Sequence, residues 1–363
     1  MRGKRSLWIV LIMLLSGSVT TIAQSMTITD MAGRQVSLSA NPQRIICLGP
    51  GTLRLIVYLQ AENKVVGVEN LEKNYPGGRP YWLAHPELAE LPTCGPGGVA
   101  SINHKPDLET VLKLSPQVIF VTYMDSALAN DVEALLNVPV VVLSYGDFST
   151  FDKVVYDAMR IAGTILNRVD RAEAVIHSIE TWRADLSRRT MSTAEKKCPQ
   201  AYVGGIGFRK VQGIESTQHH YPPLEWIHAE NLAQRIATRA GSHVVMAREM
   251  LLKLDPPFIF IDGGGMELVA ADAAKKPEFY KALTAFANHR FYVLHPFNWY
   301  TTNIDTALTD AYAMGKILYP DCFKDIDPEQ KADEIYSELV GRPVYEKMKA
   351  DYGPIGRVVP FVD

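Results

Sequence analysis

Leu108-Glu109-Thr110-Val111-Leu112-Lys113-Leu114-Ser115-Pro116 runs into the apolar segment Val118-Ile119-Phe120-Val121. Starting 140 residues later, Arg248-Glu249-Met250-Leu251-Leu252-Lys253-Leu254-Asp255-Pro256 runs into Phe258-Ile259-Phe260-Ile261. Each stretch reads as a short amphipathic helix, a stop marked by proline, and a buried strand. Helix, proline and strand in that order are common in α/β chains, but here Glu, Leu-Lys-Leu and Pro recur in register. A duplicated unit points to two similarly built lobes, with a cleft between them of the kind small ligands use.

The flanking sequence extends the pattern. Residues 26–38 alternate apolar and polar around Gly33-Arg34 and predict a β-hairpin. Pro42 introduces a strand, Ile45 to Leu48, that ends in Gly49-Pro50-Gly51, and a helix over 52–60 follows. A short strand is expected at 65–68, a helix over 128–136 and a strand over 138–143. In the second half Ala201-Tyr202-Val203 runs into Gly204-Gly205-Ile206-Gly207, echoing the first, and Phe291-Tyr292-Val293-Leu294 is the last core strand. The expected fold class is therefore α/β, with mainly parallel sheets flanked by helices. Between the halves lies a strand-free stretch. One helix covers 151–162, interrupted at Gly163; another covers 170–189, with Ala172, Val175, Ile176, Ile179, Trp182 and Leu186 on one face. Twenty helical residues span ~30 Å, enough for a rigid connector. The division is residues 24–165 for the first lobe, 166–195 for the connector helix and 196–363 for the second lobe with a helical tail.

Residues 1–23 read as a secretory signal peptide: Arg2, Lys4 and Arg5 precede the apolar run 7–15, and Thr21 and Ala23 suit a cleavage site. The run is shorter than the ~20 residues of a membrane span. No Cys adjoins the site, so the expected product is exported to the periplasm, soluble and without a lipid anchor. Removing those three basic residues moves the formal net charge from −3 to −6, with 34 basic against 40 acidic residues. An acidic chain without basic blocks argues against nucleic acid as a partner. Cys47, Cys94, Cys198 and Cys322 allow three pairings and fit no zinc-ligand spacing. There is no Gly-x-Ser-x-Gly elbow, no His-Glu-x-x-His and no phosphate-binding Gly-x-x-x-x-Gly-Lys, so the expectation is not an enzyme, with no catalytic residues and no cofactor.

The opening Thr29-Asp30-Met31-Ala32-Gly33-Arg34, then Pro42-x-Arg44-Ile45-Ile46, Val66-Gly67-Val68, Pro106-Asp107-Leu108-Glu109 and Ser115-Pro116-x-Val118-Ile119 together resemble a known group. The chain is similar to periplasmic solute-binding proteins of the ABC importers for ferric siderophores, haem and vitamin B12. That resemblance implies two α/β lobes joined by one long helix, a monomer, and a metal chelate handed to a permease dimer in the inner membrane. It also implies that Glu109 and Glu249 dock against permease arginines. A bidentate Arg–carboxylate grip and a two-fold partner suit that role; a plain helix-dipole effect at each N-terminus is the alternative. Gly204 to Phe208, Gly213 to Thr217, Tyr221-Pro222-Pro223 and 298–303 resemble an iron-transport branch of the group.

Ligands gather at the carboxyl ends of strands in open α/β sheets. Applied to both lobes, that rule selects Gly49, Pro50, Gly51, Thr52, Glu69, Asn70, Tyr123, Met124, Asp125 and Tyr145 in the first. In the second lobe it selects Phe208, Arg209, His219, His220, Tyr221, the loop Gly263 to Met266, Asn298, Trp299 and Tyr300. Aromatic walls with sparse polar groups suit a bulky, partly planar cargo, and Arg209 could pair with a carboxylate. His219 and His220 are weak metal candidates, because adjacent residues on an extended chain point to opposite sides. Readings left open are a ferric siderophore or other iron complex, a corrinoid, haem held by a tyrosine, a bare metal ion, and an exported chelatase-like enzyme.

Overall fold

The computed structural model describes residues 25–75, 77–148, 150–195, 197–207, 212–236 and 243–362. The signal segment, Phe208 and Arg209 lie outside the described residues. The chain is bilobed. An antiparallel hairpin, β1 (Ser25–Thr29) and β2 (Gln35–Ser39), precedes the first sheet. That sheet is parallel, in the order β3 (Ile45–Leu48), β4 (Val118–Thr122), β5 (Val140–Leu143). The second begins with β6 (Gln200–Gly204). Past a small antiparallel pair, β7 (Ser216–Gln218) and β9 (His243–Val245), and the two-residue β8 (Glu230–Asn231), come β10 (Ile259–Asp262) and β11 (Phe291–Leu294). Its order is β11-β10-β6-β8, again parallel. The duplicated units give helix Leu108–Lys113 before β4 and helix Arg248–Leu254 before β10, and each strand is central in its sheet. Both units reverse through a left-handed residue immediately before the proline, Ser115 (φ 47°) and Asp255 (φ 40°).

Alternation along the strands sorts side chains into three cores. Ile45, Cys47, Val118, Phe120, Ala201, Val203 and Phe260 face one large cluster, while Ile46, Leu48, Ile119 and Val121 face a second and Tyr202, Ile259 and Ile261 a third. Strands buried on both faces explain their unbroken apolar sequence. The large cluster takes one face of each sheet and also includes Val175 and Ile179 of the connector and Leu308 and Ile335 of the tail.

The helix expected as a connector runs Val169–Ala194, 26 residues long. The helix before it runs Val154–Leu166, straight through Gly163, where a break was expected. A Cβ on Gly163 would stand 3.0 Å from the Ala172 Cβ, so this glycine lets the two helices approach rather than ending one. The helical tail packs against both lobes. Helix Ile304–Leu318 lies on helix Pro222–Trp226, helix Pro328–Val340 reaches helices Thr52–Tyr58 and Pro80–Ala84 of the first lobe, helix Tyr345–Tyr352 follows, and residues 356–359 then pair with β11. Arg171 donates to Tyr58 O (2.9 Å) and Glu338 Oε1 (2.8 Å), His85 Nε2 bonds Val340 O (3.0 Å), and Lys347 Nζ donates to Leu83 O (2.8 Å).

A core shared by both lobes and a helical connector leave few residues to absorb hinge rotation. Small-angle scattering with and without cargo is expected to give nearly equal radii of gyration, near the ~20 Å of a compact chain this size. A fall of several ångströms on binding would contradict the shared-core reading.

Candidate functional site

The carboxyl ends of the strands are built from residues in unusual backbone conformations. Gly49 after β3 (φ 82°) and Gly205 after β6 (φ 77°) are left-handed at equivalent places, and Tyr123 after β4 has φ 57°. Gly51 cannot carry a side chain, since its Cβ would lie 2.5 Å from the Tyr145 ring and 2.8 Å from Thr301. Thr52 Oγ1 donates to Leu48 O (2.6 Å), closing the turn into helix Thr52–Tyr58.

The loop after β11 carries two consecutive left-handed residues, Tyr300 (φ 52°) and Thr301 (φ 66°). The second is β-branched, so its surroundings must hold it there. They do so from the other lobe. Arg54, fully buried, donates to Trp299 O (2.9 Å), Tyr300 O (3.2 Å) and Thr302 O (2.8 Å), and also to Asn303 Oδ1 (2.8 Å) and Tyr145 OH (3.2 Å). Tyr300 OH donates to Glu69 Oε2 (2.7 Å) and accepts from Gly98 N (2.9 Å), while Glu69 Oε1 takes Gly49 N (3.2 Å). Thr302 Oγ1 donates to Thr150 O (2.6 Å) and Tyr123 OH meets Thr301 Oγ1 at 3.4 Å.

Sequence-predicted residues therefore divide by place. Gly49, Gly51, Thr52, Tyr123, Tyr145, Trp299 and Tyr300 come together at this seam between the lobes. Tyr145, Tyr300 and Thr52 are buried in it, whereas Tyr123, Asn298 and Trp299 keep partial exposure. Pro50 is buried in the same turn, its carbonyl taking Thr122 Oγ1 (2.8 Å). Met124 packs into the first-lobe core cluster and Asn70 is exposed at a helix start. Tyr221 is buried against Phe297, ring centroids 5.2 Å apart. Asn298 Nδ2 donates to Gln218 Oε1 (3.0 Å), and its Oδ1, though buried, has no hydrogen-bond partner among the described residues.

His219 and His220 depart from expectation. Their rings meet edge to face, centroids 4.9 Å apart, rather than on opposite sides, because β7 ends at Gln218 and the chain bends there. Among the described residues no three His, Cys, Asp or Glu side chains converge to hold a metal ion. Glu109 and Glu249 are both exposed, each the second residue of its helix. Glu109 pairs with Lys113 at 2.7 Å; the cap of its helix is Asp107, which accepts from Thr110 N.

Sequence reasoning missed Arg54 and Tyr75. Arg54 had a signal, a lone charge in the otherwise apolar helix Thr52–Tyr58. Tyr75 sat in a stretch without periodicity, and nothing local distinguished it, whereas the strand-end rule did select Glu69.

A family model described as periplasmic binding protein matches residues 45–296. An ABC transporter substrate-binding lipoprotein of Bacillus subtilis is 24% identical over 302 residues, 82% of this chain and 87% of that protein. The molybdate-binding protein MolA of Haemophilus influenzae is 23% identical over 340 residues, 86% of this chain and 90% of its own. The structure of MolA bound to molybdate superposes with a TM-score of 0.68, at 19% identity, covering 88% of this chain and 98% of that one. A periplasmic solute-binding protein from Veillonella parvula gives 0.70, at 20% identity over 91% and 97%.

Burial raises the Glu69 carboxyl to about 7, against the hydrogen bonds from Tyr300 and Gly49 that favour its ionised form. The folded chain thus keeps a proton there that an unfolded chain releases near pH 4.5. The stability Glu69 contributes is full below that value and falls as pH rises toward 7, by on the order of 3 kcal/mol. Denaturant midpoints measured from pH 5 to 8 should fall more steeply in the wild type than in Glu69→Gln. Parallel profiles would exclude Glu69 as the source.

Proposed function

The chain belongs to the periplasmic binding protein family, and from that premise we propose that it captures a metal chelate outside the cytoplasm and delivers it to an ABC permease. The coarser statement, a non-catalytic extracytoplasmic solute-binding protein that serves an ABC transporter, follows from family membership. A ferric siderophore or similar iron complex is the finer reading. One observation carries it: the seam pairs partly exposed aromatic side chains, Trp299 and Tyr123, with an unpartnered amide oxygen on Asn298. That mixture suits a bulky cargo with a metal already wrapped in its own donors. Molybdate, the cargo in MolA's name, is a smaller metal-bearing anion and is the second reading.

Trp299→Ala tests the site. Its affinity for ferric chelates should drop well beyond tenfold, the worth of ~1.4 kcal/mol, while the unfolding midpoint moves by only a few degrees. A large loss of stability with affinity intact would show that Trp299 serves packing alone.

Docking rests on Glu109 and Glu249. A helix joined to its following strand by a short reversal runs back against it, which sets each helix N-terminus at the strand's carboxyl end, the cleft side. Asp107 caps the first helix, so Glu109 is not needed as its cap, and the helix dipole is the alternative role left to it. Exposure repeats between the copies: Val111 and Leu251 are buried, Leu112 and Leu252 exposed, as are Lys113 and Lys253. Two matched acidic, apolar-flanked patches fit a two-fold partner. Replacing both glutamates by alanine should leave cargo affinity unchanged and abolish uptake in cells. Normal uptake by the double variant would remove the docking role.

A further inference from the structure

Trp299 is wedged. A Cβ on Gly78 would lie 2.6 Å from its Cδ1 and 2.8 Å from the Tyr352 hydroxyl, and one on Gly264 would lie 4.0 Å from its Nε1. Glycines from both lobes thus edge the indole, and any larger residue at Gly78 would push it out. Its own carbonyl is fixed by Arg54 and by Asn303 Nδ2 (3.1 Å). Facing it from the first lobe is Tyr75, ring centroids 6.3 Å apart and planes within 20°. Tyr75 is anchored differently. Its backbone is held, with N donating to Leu71 O (3.2 Å) and O accepting from the buried Arg79, which also pairs with Glu72. The residue, however, is 56% exposed. A large aromatic ring left in water on a pinned backbone is free to leave one partner face for another, whereas the indole beneath it is not.

We propose that Trp299 and Tyr75 form a cross-lobe slot for a flat, π-rich ring of the cargo, with Trp299 as the fixed platform and Tyr75 as the movable cover. This rests on the reading of the chain as a chelate-binding protein and narrows its cargo to one bearing an aromatic ring, such as a catecholate. Tyr75 stacks over the indole face; an incoming ring takes that face and Tyr75 swings to cover the ring's other side. Offset stacking supplies the attraction, and it discriminates flat rings from rounded aliphatic or inorganic cargo.

Titration calorimetry on the whole protein, with ferric tris-catecholate, ferric tris-acetohydroxamate and molybdate as separate probes, tests this. The catecholate should bind the wild type, lose affinity about tenfold in Tyr75→Ala, and recover to within about twofold in Tyr75→Phe, which keeps the ring. The unfolding midpoint of each variant should match the wild type, since the side chain is exposed. Catecholate binding that ignores Tyr75, or the same Tyr75 dependence for the two ringless probes, would overturn the slot. Binding of acetohydroxamate or molybdate alone would overturn the slot while leaving the solute-binding reading in place. Failure of all three would overturn the slot and the reading of the cargo as a ferric chelate.

Discussion

A single buried guanidinium joins the two halves of this molecule. Arg54 rises from the first strand's helix and spends its donors on backbone carbonyls at 299, 300 and 302 and on the Asn303 amide, all supplied by the second lobe. Arginine suits the task because its planar fork presents five N–H groups at fixed angles and stays charged when buried. Desolvation would defeat an isolated cation, but this one sits in a ring of oxygen dipoles beside Asp305. Burial raises the Asp305 carboxyl's pKa, and Arg54 offsets part of that rise. Removing the arginine would leave several carbonyls without donors, each costing ~1–3 kcal/mol. The left-handed Tyr300 and Thr301 are tenable because that grip holds them.

Much of the remaining architecture protects this contact. The shared core packs one face of each sheet into the same apolar cluster, and the tail helices return to the first lobe through Arg171, His85 and Lys347. Packing and these hydrogen bonds thus tie the lobes together alongside the covalent path through helix Val169–Ala194. A seam assembled this way is largely preformed, which would lower the ordering cost for the proposed cargo.

The duplicated units were legible because period and punctuation agree: amphipathic spacing, a proline stop and an apolar strand each say the same thing twice. The strand-end rule likewise brought out Gly49, Gly51, Tyr123, Tyr145, Trp299 and Tyr300, which do meet. Gly163 was misread because a helical glycine costs only ~1 kcal/mol, less than close packing on Ala172 returns. The return of the tail and the role of Arg54 were illegible for another reason. Arg54's second-lobe partners lie 245 to 249 residues away, and no local pattern encodes such a contact. The histidine pair shows the same limit, since the bend after Gln218 that brings the rings together is set by tertiary structure.

A seam with partly exposed aromatic surface and one orphaned amide oxygen supports the proposal that the cargo is a metal already held in a chelate. The most direct test of that claim is native mass spectrometry, with an absorption spectrum, of protein isolated from exporting cells without refolding. The account predicts a one-to-one complex carrying the mass of an organic chelator plus a metal, with a charge-transfer band that vanishes when the protein is denatured and stripped. Protein that retains a bare metal ion, with no chelator mass, would contradict it.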